Sequence, residues 1–280
     1  MLEEMFQFAF MQRALLAALL VGLLCSLVSF FVVLKRLAFI GVGVSHSAFG
    51  GVAIGIHLGL DPLLSGGLFA TLVSWLIGWV SRKGQIHEDT VIGIFFSATM
   101  ALGIALVSLL DGWMNDLFSF LFGNILAVTP RDLWILSFTF VLVSFFLAVF
   151  FRPILTMAFD EEMARADNLP VDPLYYGLLT AIAATLVVSV KVVGIVLGSA
   201  LVVIPAAIGY ELSFNFRGML AISMLSGVTS SVGGLVLSYL YDMPSGATIV
   251  LCATLLFLAS IALSPRRPLG RRLWKRWAVA

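Results

Sequence analysis

Charge is what this sequence has least of. Asp, Glu, Lys and Arg make up 11% of its 280 residues, against 61% hydrophobic residues and a mean hydropathy of +1.11. A soluble domain carries about 25% charged residues, and no water-facing surface can be built from so few. The chain is therefore read as a polytopic membrane protein. A net charge of +1 gives no footprint for nucleic acid. There are two cysteines, Cys25 and Cys252, both inside apolar segments, which excludes a disulfide framework and a C-x-x-C metal site. The chain holds no G-x-x-x-x-G-K-[ST] phosphate loop, G-x-S-x-G elbow or H-E-x-x-H helix. Transport, if active, must draw its energy from an ion gradient or from another subunit.

What the sequence has in quantity is apolar runs long enough to cross a bilayer. Nine fall near 14–34, 38–58, 63–81, 90–110, 131–151, 174–190, 192–211, 218–240 and 246–263. The sixth and seventh are short and separated only by Lys191, so eight spans with a re-entrant piece remain open. Glu3 and Glu4 stand where a secretory signal would carry positive charge, so the first run is read as a retained helix.

Basic residues orient the set. If the loop after the fifth span is cytoplasmic, Lys35, Arg36, Arg82, Lys83, Arg152, Arg165, Arg217 and the six basic residues of the tail lie inside, leaving Arg13, Arg131 and Lys191 outside. That is the positive-inside pattern; it makes the C-terminus cytoplasmic and, with nine spans, the N-terminus external. Three units follow: a single transmembrane domain over 1–280, a polar cytoplasmic segment at 153–173, and a basic cytoplasmic tail at 264–280. The external stretch Asp111 to Thr129 mixes Trp113, Phe118, Phe120, Leu121 and Phe122 with polar residues and reads as an interfacial helix. In the segment 153–173, Asp160, Glu161, Glu162, Met163, Ala164 and Arg165 read either as a solvated loop or as a short helix docking on a cytoplasmic partner, with Met163 and Ala164 as its contact face.

The second span holds the chemistry. His46 lies among small residues near mid-membrane, and an ionisable side chain at that depth usually faces a bundle interior or a pathway. Imidazole is also a common ligand for divalent transition metals. The plainer reading is an imidazole bonded to a neighbouring helix. His57, eleven residues on, returns to nearly the same side but lies roughly 16 Å away along the axis, so the two cannot chelate one ion together. Ser47, Gly51, Gly55 and Gly59 recur every four residues as a close-contact face. Gly194 and Gly198 repeat that spacing in the seventh span, and Pro205 then breaks the helix at membrane depth. Ser226, Gly227, Thr229, Ser230, Ser231, Gly233 and Gly234 form another small-residue surface in the eighth span, a candidate interface to a second copy.

Four blocks, in order, resemble the ABC-type manganese/zinc/iron permeases: Ser45 to Gly51, Phe122 to Thr129, Val193 to Leu197 running on to Leu201–Ala207, and Ser238 to Ala247. The resemblance covers nearly the whole chain. It implies an all-α polytopic membrane protein of ABC importer permease architecture, itself no enzyme. It further implies pairing with a second permease copy, a cytoplasmic ABC ATPase that hydrolyses ATP, and an extracytoplasmic metal-binding protein in a prokaryotic plasma membrane. It makes Asp160 to Asn168 the ATPase-coupling segment and His46 a metal ligand. One departure stands out: many members carry aspartate four residues before that histidine, where this chain has Val42. Without that hard oxygen donor the tilt is toward zinc over manganese or iron, with Ser45 a weak further ligand. The alternatives are a permease for metal chelates of the siderophore or cobalamin kind, and a non-transporting intramembrane protein using His46 alone.

Overall fold

The computed structural model describes residues 8–109, 123 and 125–266. The amphipathic external stretch up to Phe122, Asn124 of the second family block, the tail beyond Arg266, and Glu3 and Glu4 lie outside the described residues.

Among the described residues nine helical segments are long and apolar enough to span a membrane. They are built from α1 (Ala9–Leu34), α2 (Ile40–His57), α3 (Pro62–Gly84), α4 (Glu88–Ser108), α5 (Pro130–Val149), α8 (Val171–Val193), the two-piece α9 (Ile195–Leu201) and α10 (Ile204–Leu212), α11 (Phe216–Tyr241) and α12 (Ser245–Leu263). Two short helices, α6 (Phe151–Phe159) and α7 (Glu161–Ala166), join α5 to α8. The spans thus match the sequence reading within a few residues, because an apolar run in hydrocarbon has no backbone option but the helix.

The starts of these helices are written locally. Asp61 caps α3, accepting from the amides of Leu63 and Leu64, with Pro62 in the first turn. Thr129 and Asp132 form a reciprocal capping box on α5. Asp160 caps α7 through the Met163 amide, and Asn215 caps α11 through that of Gly218.

Helices α1, α2 and α8 are the most buried, whereas α5 and α12 keep most of their apolar surface on the outside. Lipid is as apolar as leucine, so such helices associate through close packing, and small residues set how close. A methyl added at Gly22 would lie 2.8 Å from the Gly227 carbonyl oxygen, where α1 crosses α11. One added at Gly51 would lie 2.9 Å from Gly66 Cα, where α2 crosses α3, and Gly55 is closed in by Ser65.

Three expectations change in detail. The small residues of the eighth span are largely taken up within the chain: Ser226, Ser230 and Ser231 are buried, Gly227 meets Gly22 and Ser26 of α1, and Gly234 meets Ile249 of α12, while Thr229 is exposed and Gly233 has open space beside it. Gly194 is closely approached by Gly123, where no added methyl would fit, and it does more than pack. It is the joint between α8 and α9, with φ of +87°, a conformation that costs a side-chained residue energy. Gly198 makes only ordinary contact with Val190 and Ser189. Finally Gly59 has left the helix, with φ of +68° and open space beside it.

The expected break at Pro205 is present, one turn early. The seventh span interrupts at Val202–Val203, and Pro205 sits in the first turn of α10, where its missing N–H is harmless. A neighbour meets one of the freed groups, the Ala206 amide, which donates to Ser29 Oγ at 3.1 Å, and Ser226 Oγ adds a bond to the Pro205 carbonyl at 3.4 Å.

Candidate functional site

His46 sits half-buried on α2. The backbone carbonyl of Val42 lies 2.8 Å from its Nδ1. A carbonyl only accepts, so Nδ1 carries the proton and donates, and in the neutral ring Nε2 keeps its lone pair. That is the second-partner arrangement by which a ligating imidazole is usually oriented. The edge of the ring meets Phe96 of α4 at a centroid distance of 4.7 Å and 79°. The position four residues back therefore still contributes an oxygen, but it is spent on orienting the ring.

The other candidates are not brought to the same point. Ser45 is fully buried and its Oγ finds no hydrogen-bond partner. Ser47 bonds instead to Gly43 and to Thr99 of α4. His57 ends α2 and is exposed. Among the described residues no three His, Cys, Asp or Glu side chains are grouped to hold a metal. One copy of the chain thus offers a single oriented imidazole.

At one end of the bundle, next to α2, a cavity of about 360 Å³ lies among Ala48, Val52, Pro62, Leu63 and Val187. Asp61, Arg131 and Lys191 stand at its rim. Arg131 pairs with Asp61 at 3.4 Å, and Lys191 with Asp132 at 2.6 Å. The amides of Leu64 and Leu63, aided by the charges of Arg131 and Lys191, hold the Asp61 carboxyl below its ordinary range. Arg131 and Lys191 were two of the three residues that broke the basic-residue pattern, and each is answered by an aspartate. The Thr129-x-x-Asp132 capping box was the local signal for this cluster.

At the opposite end, α7 is tied to the bundle by a denser network. Glu161 Oε1 accepts from Lys35 and, at 2.9 Å, from Arg82 Nη2. Arg82 Nη1 donates to Asp172 at 2.6 Å, and Arg165 donates to the same oxygen at 2.8 Å. The Arg82 guanidinium lies 3.7 Å from the centroid of the Tyr175 ring, whose hydroxyl donates to Glu88 at 2.8 Å. Burial acts to raise the Glu161 carboxyl, but the hydrogen bonds and charges of Lys35 and Arg82 together outweigh it and hold it below its ordinary value of 4.5. Ala164 is buried beneath α7 while Met163 is exposed, so of the two expected contact residues only Met163 faces outward. No sequence pattern pointed to Arg82 or Lys35, which lie 79 and 126 positions from their partner.

Known proteins share this architecture. A manganese transport system membrane protein of Halalkalibacterium halodurans is 35% identical over 273 residues, which are 98% of this chain and 94% of that one. A manganese import system permease protein of Streptococcus gordonii is 34% identical over 271 residues, 95% of this chain and 97% of the relative. The solved PsaBC of Streptococcus pneumoniae, in complex with a Fab, matches with a TM-score of 0.86 at 33% identity, over 99% of this chain and all of that one. The model of the ABC 3 transport family matches residues 7–264, so fold, motifs and sequence agree: the chain is a membrane-spanning member of the ABC 3 transport family.

Proposed function

We propose that this chain is the permease subunit of an ATP-driven importer of manganese, working by alternating access. The observation that carries the proposal is the oriented imidazole of His46, with Nε2 free, at mid-length of a spanning helix in a member of this family. The names of the relatives favour manganese over zinc. One imidazole with few oxygen donors makes a weak site, and a weak site suits a carrier that must release its ion. The missing ligands come from outside the single chain, and a second permease copy is the natural source; the buried Ser45 hydroxyl is a further candidate. His57, exposed at the end of α2, lies along the approach and not at the site. The cytoplasmic ATPase engages α7 through Met163 and its exposed charges, and an extracytoplasmic metal-binding protein feeds the end bearing Asp61, Arg131 and Lys191. The basic-residue pattern puts α7 and the C-terminus in the cytoplasm of a prokaryotic cell, with the chain in the plasma membrane.

The test is the manganese, zinc and iron content of cells lacking the chain, grown in metal-limited medium and complemented with wild type or His46→Ala. Manganese alone is expected to fall, and to be restored by wild type only. Loss of zinc or iron instead would overturn the choice of metal. Full rescue by His46→Ala would make the histidine a packing residue.

A further inference from the structure

Six charged residues, out of 31 in the whole sequence, gather with one tyrosine around α7, and their placement is selective. Lys35 caps the end of α1, one short turn before α2 begins. Arg82 is in the last turn of α3, Glu88 opens α4, and Asp172 and Tyr175 are in the first turns of α8. Helix α2, which carries His46, packs chiefly on α3 and α4, with α8 and α9 beside it. The network therefore holds the α7-facing ends of three of the four helices that enclose the His46 helix, and the residue that leads into α2 itself.

Arg82 is the node. Its two terminal nitrogens bridge carboxylates from different elements, Glu161 on α7 and Asp172 on α8, while its plane lies on the Tyr175 ring. Only a guanidinium can do all three at once, since it is planar and forked, whereas an ammonium is a point charge. Lys35, Arg82 and Glu161 are each largely shielded from solvent. Charges so placed are stable only while paired, so α7 cannot shift against the bundle without either breaking the cluster or carrying the span ends with it.

We infer that Arg82 is a positioning residue of the transport cycle: through Glu161 it converts displacement of α7 by the ATPase into displacement of the helices around His46. The inference rests on the proposed function for the partner that pushes α7, but not on which ion is carried.

Its test reads movement directly, in the permease–ATPase complex reconstituted in liposomes. Cys25 and Cys252 are replaced by alanine and a reporter is introduced as Val42→Cys, one turn from His46, and its reaction with a charged thiol reagent is timed with and without ATP. The parent is expected to show a nucleotide-dependent change in labelling rate of about tenfold, a coupling of ordinary size. In Arg82→Ala that ratio is expected to fall to near unity while ATP hydrolysis persists. Arg82→Lys, which retains the charge but not the fork, is expected to fall between. Glu161→Gln should act in the same direction. Labelling that stays nucleotide-dependent in Arg82→Ala would overturn the inference, as would a parent in which ATP never alters the reporter. Loss of the ATPase from the complex in both Arg82 variants would also overturn it, since the cluster would then be scaffold alone. A parent that moves no manganese but passes the labelling test would sink the proposed cargo and leave Arg82 in its role.

Discussion

The two polar ends of the bundle use the same side chains in opposite ways. Beside α7, two arginines, one lysine and two carboxylates share atoms around an aromatic ring, and several of them are shielded from solvent. At the other end the pairs are separate, Arg131 with Asp61 and Lys191 with Asp132, and Arg131 is 76% exposed. Exposed pairs contribute about 0–1 kcal/mol each, while removing one partner from a shielded cluster strands the rest. The first end is built to move as a body; at the second the exposed Arg131–Asp61 pair is the one built to come apart, since Asp132 is only 12% exposed.

The comparison breaks first at Arg82. Arg82→Ala leaves Glu161 and Asp172 without their shared partner, and is expected to cost about 2 kcal/mol, below the fully buried limit because the cluster is partly wet. Thermal unfolding of the purified protein measures it, and an unchanged midpoint would place the two ends in one class.

Acid sharpens the contrast. Glu161 has a folded-state pKa below its unfolded 4.5, so its contribution is complete above about pH 4.5 and is lost as pH falls through the lowered value. Stability measured from pH 6 downward should therefore decline more shallowly in Glu161→Gln than in wild type. Parallel curves would count against the ion pairing.

Salt gives a smaller effect, at the other end. Raising ionic strength to about 1 M shortens the screening length to about 3 Å, which should erase any difference between wild type and Arg131→Gln while leaving most of the Arg82→Ala defect. The least change is expected from Asp61→Asn, because asparagine still caps α3. Its unfolding midpoint should stay close to that of wild type.

Much of this molecule was legible in the sequence, for reasons tied to particular residues. The nine spans could be read because hydrocarbon forces apolar runs of fixed length into helices. His46 stands out in the sequence as a lone titratable residue at membrane depth, whereas its bond to the Val42 carbonyl needed the backbone. The closeness implied by Ser226 and Gly227 was correctly read, but not its object: small residues state that something approaches, and for these two it is Pro205 of α10 and Gly22 of α1. Gly194 resembled its neighbour Gly198, and only the backbone angle separates a joint from a contact. The Arg82 cluster was invisible because pairing across 79 and 126 positions leaves no periodicity to detect.

The broken seventh span has a consequence for biogenesis. A continuous helix enters the bilayer with its backbone already satisfied, but α9 and α10 do not, and the amide of Ala206 finds its acceptor in Ser29, 177 positions earlier in the chain. As the nascent chain leaves the ribosome, the first helix must therefore be kept beside the insertion site until this late segment arrives. Ser29→Ala would show its cost as lower membrane yield during synthesis rather than as slower transport.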